Sequence, residues 1–269
     1  MSILRDELAY WINERYAVKL RKAAGGPPPW STDKAFQTVR FCNVHREDDT
    51  VTQWIRKHWN RSDSPLWHFV LARLINWPET LAEIQQFQNQ DNILSILKQR
   101  RARGQKVFTS AYTISTCGKR MDKLDYVMGV VTHSGAVPVS YARLSTTYEA
   151  ICSVDGLGSF LSAQVIADMK NTPGHALCGA PDWWTFSAPG PGSLRGLGWY
   201  FGGNSTTTVP ARLYNGAMLT CMDEVTPLLH DGIPRIGAQD FQNCLCEFSK
   251  WCKVIFDDGH VRNRYVAHH

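Results

Sequence analysis

The sequence predicts a mostly α-helical chain, and three observations carry that prediction. Apolar residues recur at helical spacing in one segment after another. Alternating apolar and polar runs, which a half-buried sheet would need, are missing. Glycine and proline clusters separate the periodic segments instead of interrupting them. With 269 residues, 43% of them apolar, the chain can bury a substantial core.

The first helix is expected within ILRDELAYWINERYAVKLRKAA, residues 3–24, and ends at GlyGlyProProPro. Residues 1–29 then read as an N-terminal helix plus linker, and residues 30–269 as one compact helical domain. Helices are expected over 47–59, 66–77 and 79–87, and LWHFVLARLINW is apolar nearly all round, as a central helix would be. VFTSAYTIS, residues 107–115, is the one strand-like run, and a buried loop is the equal alternative. Further helices are expected over 123–131, 141–152, 159–170, 218–230 and 238–256. Residues 173–203 read as a Gly-rich stretch without regular structure, rich in aromatics: PDWWTFSAPGPGSLRGLGWYFGG. Trp183 and Trp184 within it are candidates to stack on a base, with plugging of the loop onto the core as the alternative.

The net charge of +5 is too modest to prove a nucleic-acid partner. Two local clusters have the density to neutralise phosphates: Arg15, Lys19, Arg21 and Lys22, then Lys98, Arg100, Arg101, Arg103 and Lys106. Solvated basic faces are the alternative. The charged start MSILRDELAYW does not read as a signal peptide, and no apolar run is long enough to span a bilayer. Eight cysteines without a secretory context fit reduced thiols, so a cytoplasmic location is expected. Cys244, Cys246 and Cys252 lie at a spacing that disfavours zinc on a helix, and buried thiols fit better. Nothing in the chain calls for a metal or a cofactor.

DGLGSFLSAQVIADM, residues 155–169, combines a tight turn with a helix start. Gly156 and Gly158 permit positive φ, and the amides from Ser159 onward would face a phosphate. Gln164 and Asp168 share one helical face. This order, with the acid Asp182 about two dozen residues beyond the turn, resembles base-excision glycosylases of the helix-hairpin-helix class. An Asp that caps a helix turn is the alternative for Asp182. Two further stretches set polar groups among aromatics. The first offers Arg40, Asn43, Arg46 and Glu47; the second offers Asn243, Glu247 and Lys250 at helical-neighbour spacing.

RFCNVHREDDTVTQW, FTSAYTIS with MDKLDYV, DGLGSFLSAQVIADM, APGPGSLRGL and QNCLCEFSKW together resemble one phage family. These are the α-glutamyl/putrescinyl-thymine pyrophosphorylase-like proteins, whose helical domain is also attached to 5-hydroxymethyluracil DNA kinases. The resemblance runs from about Trp30 to Trp251. It implies a DNA-glycosylase-like helical fold, host cytoplasm as the setting, and a role in hypermodifying thymine in viral DNA. The implied reaction displaces pyrophosphate from 5-pyrophosphoryloxymethyluracil with a free amino acid or polyamine. The implied partner is double-stranded DNA carrying the modified uracil. The chain lacks GxxxxGK[ST], so phosphoryl transfer from a P-loop is not supported.

On this reading Arg40, Arg46, Lys119, Arg195 and Lys250 are candidates to neutralise the leaving group, with Arg195 best placed. Asp182, then Asp168, is the expected base, with burial raising the pKa of Asp182 toward neutrality. Base excision and non-catalytic reading of modified DNA remain open, because fold does not decide reaction.

Overall fold

The computed structural model describes residues 3–59, 64–84, 89–109, 114–116 and 118–257. In chain order its helices are α1 (Arg5–Ala23), α2 (Lys34–Thr38), α3 (Thr50–His58), α4 (Leu66–Ile75), α5 (Pro78–Ile84) and α6 (Gln90–Ala102). There follow α7 (Lys123–Ala136), α8 (Leu144–Cys152), α9 (Ser159–Lys170), α10 (Pro191–Tyr200), α11 (Tyr214–Val225) and α12 (Ala238–Phe256). No extended strand occurs among the described residues. The mostly α prediction holds. The strand-like run is not a strand over residues 107–109, and residues 110–113 of it lie outside the described residues. No helix among the described residues is long and apolar enough to cross a membrane.

Short polar side chains set many of the helix starts. Asp33, Asp49, Asn89 and Asp122 each accept from backbone amides in the first turn of α2, α3, α6 and α7. The Asp49 cap divides the helix expected over 47–59 into a short turn, Arg46–Asp48, and α3. Asn76 ends α4 in the left-handed region at φ 47°, a conformation asparagine tolerates better than most residues.

The chain forms two compact units, residues 1–46 with 184–269, and residues 47–183. In the first, α1, α11 and α12 enclose an aromatic-rich core that includes Trp11, Phe41, Tyr200, Tyr214, Phe241, Phe248 and Trp251. α10 packs on α12. A Cβ added at Gly196 would stand 2.1 Å from the Leu245 carbonyl oxygen, and one at Gly192 would stand 2.2 Å from the Cys246 sulfur. The glycines are what let the two helices touch, and this corrects the expectation that 173–203 lacks regular structure. The glycine content suggested a loop; close backbone packing explains it instead.

In the second unit α4 is the central helix, buried over Phe69–Ile75 and packed by α7 and α9. α6, which the sequence reading missed, lies against α7. Its basic residues are paired: Lys98 with Asp125 at 2.7 Å, Arg101 with Asp122 at 2.7 Å, and both Arg100 and Arg103 with Glu83. The N-terminal cluster is likewise engaged, since Arg21 pairs with Glu14, Lys22 lies over Trp30 and Lys19 over Tyr16. Neither cluster is therefore a bare phosphate-binding patch.

Candidate substrate and DNA-binding sites

In the first unit the segment 41–46 is strapped along α12 by hydrogen bonds from side chains to backbone. Glu247 Oε2 accepts from the Cys42 amide at 3.1 Å, and Asn243 donates to the Asn43 carbonyl at 3.1 Å. Asp240 Oδ1 accepts from the Arg46 amide at 2.8 Å. Arg15, from α1, donates to the Cys42 carbonyl at 2.8 Å and to the Asn43 side chain. His45 meets the Pro234 carbonyl at 3.1 Å. The strap needs these partners because it is irregular backbone against a helix, where unmet amides and carbonyls are costly.

On α12, Asn243, Glu247 and Lys250 fall on consecutive turns, and Lys250 donates to Glu247 Oε1 at 2.5 Å. Glu247 is 2% exposed, whereas Asn43, Asn243 and Lys250 are partly open to solvent. Burial pulls the Lys250 pKa down, but the charge and hydrogen bond of Glu247 overcome it and hold the ammonium above its ordinary value. Arg195 is exposed on α10, within the helix and not beside a turn, and makes no ion pair among the described residues. The Cys246 thiol lies within the field of both Lys250 and Arg195; burial raises its pKa and the two cations oppose the rise. Arg40, exposed at the start of the strap, also lacks an ion pair among the described residues. Arg46 is 7% exposed, so its side chain belongs to the strap's interior and not to an open anion site.

In the second unit α8 and α9 pack against each other and are joined by residues 153–158. Leu157 plugs the turn at 1% exposure, with Gly156 at φ 95° and Gly158 at φ 30° on either side of it. A Cβ on Gly156 would stand 2.7 Å from the Tyr126 hydroxyl, so this position has no room for a side chain. Gly158, Ser159 and Phe160 are exposed, and Gly158 caps α9 without a side-chain acceptor for the first amides. Lys119 pairs with Asp155 at 2.6 Å and thus stands beside the turn. Gln164 is partly buried on α9, and Glu47 is exposed and paired with Arg56 at 3.0 Å.

The two expected bases are both committed to structure. Asp168 is completely buried, bridged by two guanidinium contacts from the equally buried Arg73 and by the Thr52 hydroxyl at 2.7 Å. Arg73 also reaches Asp49 at 3.0 Å and Asn76 at 3.2 Å, so one guanidinium ties α9 to α4 and to the cap of α3. Asp182 is 5% exposed and accepts from the Leu144 amide at 2.8 Å and from the Ser145 amide and hydroxyl at 3.0 and 2.8 Å. It caps α8 from a distance, in place of Arg143, whose side chain makes no cap. Burial raises its pKa, but these hydrogen bonds outweigh burial and hold it below the usual carboxylate range. The expected upward shift is thus reversed.

The family model for the 5-hmdU DNA kinase helical domain matches residues 2–260. The chain belongs to that family. No curated protein and no solved structure matches it. Membership in the 5-hmdU DNA kinase helical-domain family connects the chain to enzymatic modification of 5-hydroxymethyluracil in DNA, and the helical content agrees with it.

Of the residues chosen by sequence, Asn43, Arg46, Asn243, Glu247 and Lys250 of this family member meet at the strap. The boundary between the units falls between Trp183 and Trp184. The Lys170 ammonium lies 4.0 Å from the Trp183 ring, and the Arg235 guanidinium lies 4.0 Å from the Trp184 ring. Arg15 was counted only as surface charge, although its helical spacing from Trp11, Ile12 and Val18 signalled a buried arginine. Lys170, fully buried, carried no such signal.

Proposed function

We propose that this chain is a phage DNA-hypermodification transferase that replaces the pyrophosphate of 5-pyrophosphoryloxymethyluracil with an amine. The observation that carries the reading is the half-open polar face of α12 and its strap, with Lys250 and Arg195 beside it. Such a face suits an anionic leaving group, because charge-assisted contacts strengthen as negative charge develops on the departing oxygen.

In the reaction the amine nitrogen forms a bond to the C5 methylene. The carbon–oxygen bond breaks, and pyrophosphate leaves with the electron pair. Arg195, Lys250 and Arg40 receive that charge. Asn43 and Asn243 supply amides for a uracil edge. Glu247 positions Lys250 and the strap, its two oxygens serving the Lys250 ammonium and the Cys42 amide, and the proton that the attached amine must lose passes to solvent. Asp182 is likewise a weak acceptor, since its oxygens already serve the amides of α8. Asp168 is sealed by Arg73.

The turn between α8 and α9, with Gly156, Gly158 and Ser159, holds the DNA backbone in this reading. Its exposed residues at a helix start without a side-chain cap, and the neighbouring Lys119, support phosphate contact. A helix-hairpin-helix, glycosylase-like fold is the corresponding structural proposal. Base flipping would seat the uracil away from water.

The test is incubation of the protein with DNA bearing the pyrophosphorylated base and a panel of amino acids and polyamines, read by nucleoside mass spectrometry. Pyrophosphate release with an aminated base and an intact glycosidic bond is expected. Abasic sites would identify base excision instead, and binding without turnover would identify a reader.

A further inference from the structure

α10 begins against the half-open face of α12. A Cβ on Gly192 would strike the Cys246 sulfur, and one on Gly190 would stand 3.9 Å from the Gln242 amide nitrogen. Gln242, Cys246 and Lys250 follow one another at four-residue steps along α12, and all three are half-buried. Arg195 stands three residues beyond Gly192, on the same side of α10, and its charge reaches Cys246 as that of Lys250 does. A helix start, a guanidinium, an ammonium and a carboxamide therefore meet around one sulfur.

Several donors here are unused. The amides of Gly192 and Ser193 have no acceptor among the described residues, and the Ser193 hydroxyl is taken up by the Gly190 amide and carbonyl at 3.1 and 3.0 Å. The Gln242 carboxamide makes no hydrogen bond among the described residues. The hydroxyls of Tyr214 and Ser187, residues only 1% and 8% exposed, also meet no partner at hydrogen-bond distance. Burial pushes the Tyr214 phenol up to about 12, and the nearby Ser193 and Ser187 hydroxyls oppose the rise, which sets the phenol behind the first turn of α10. Buried hydroxyls without partners are costly, so they mark a place that a polar ligand atom would complete.

We infer that the start of α10 is a seat for a terminal phosphate group. The amides of Gly192 and Ser193 and the side chains of Arg195, Gln242 and Lys250 surround its oxygens, and the Tyr214 hydroxyl completes it from behind. Glu247, whose charge also reaches Cys246, is offset by Lys250 at 2.5 Å, so Arg195 and the helix start leave the seat positive. The donors outnumber what the two oxygens of a carboxylate can use. A phosphodiester also offers only two unesterified oxygens, whereas a terminal phosphate offers three. That this group is the outer phosphate of the leaving pyrophosphate rests on the transfer reading above; the binding itself does not.

Calorimetric titration of the protein alone, without DNA, with inorganic phosphate, pyrophosphate, acetate and a dinucleotide phosphodiester tests the seat. Phosphate and pyrophosphate are expected to bind, with acetate and the diester at least about tenfold weaker. Gln242→Leu and Tyr214→Phe are each expected to weaken pyrophosphate binding about tenfold. The melting temperature of free Tyr214→Phe should be unchanged or raised, because the lost hydroxyl had no partner; a merely structural phenol would lower it. No phosphate binding at millimolar concentration, equal binding of acetate, or variants that bind like wild type would overturn the assignment. Equal binding of the diester would overturn it in favour of the DNA backbone. If pyrophosphate binds as described but no base is aminated, the transfer reading fails and the seat stands. If transfer proceeds undiminished when Gln242→Leu and Tyr214→Phe are combined, the seat fails and the transfer reading stands.

Discussion

The two units handle buried charge in opposite ways. In residues 47–183 the Arg73–Asp168 pair is shut inside the core, with Thr52, Asp49 and Asn76 satisfying what the pair leaves over. In the other unit Glu247 is equally buried, but its partner Lys250 keeps nearly a third of its side chain in solvent. A sealed pair has no capacity left for a ligand and serves geometry. A pair open on one side can exchange its water for a substrate. The difference separates scaffold from candidate site more sharply than residue type does, since both regions hold an acid beside a base.

Breaking the sealed pair should have the largest effect. Asp168→Asn or Arg73→Met leaves an uncompensated group in the core and should cost about 3–5 kcal/mol in urea denaturation. Replacing both with apolar residues should recover much of that loss. A single variant within experimental error of wild type would show that the pair is not sealed.

On the open side the effect should fall on rate and not on stability. Arg195→Ala should lower turnover about 10²–10³-fold with the urea midpoint unchanged, and Arg195→Lys should restore only part of it. Equal turnover in Arg195→Ala would remove this arginine from the site. The close approach of α10 and α12 sharpens the contrast within one unit. Gly196→Ala drives a methyl group into the Leu245 carbonyl and should cost about 1–3 kcal/mol or more. Gly216→Ala on α11 meets nothing within 4 Å and should be neutral or stabilising by about 0.4–1 kcal/mol. Thermal melts of the two variants decide it.

Asp182→Asn should weaken the α8 cap by about 1–2 kcal/mol, visible as faster amide exchange over residues 144–147. If turnover collapses while that exchange is unchanged, Asp182 is chemical and not structural. The last effect concerns pH. Burial lowers the His175 imidazole from its ordinary 6.5 to about 4. Between those values the unfolded chain binds the extra proton, so stability should fall as pH drops from about 6.5 toward 4. His175→Gln should flatten that part of the profile.

The sequence by itself determined the class of the fold and many of its elements. The boundaries of α9 and α12 were legible because apolar periodicity and the glycines ahead of each helix agree there. The glycine turn before α9 was legible for the same local reason. α10 was not: Gly192, Gly196 and Gly198 lower helix propensity, and their advantage exists only once another backbone lies against them. α6 was hidden because its many charges read as a basic patch, while their partners Glu83, Asp122 and Asp125 come from elsewhere in the chain. The same limit applied to the acids. An aspartate's spacing shows where it stands along a helix, but its pKa depends on what faces it. Only the tertiary structure could bring Arg73 to Asp168 and the amides of α8 to Asp182, because desolvation and hydrogen bonding are set by neighbours distant in sequence.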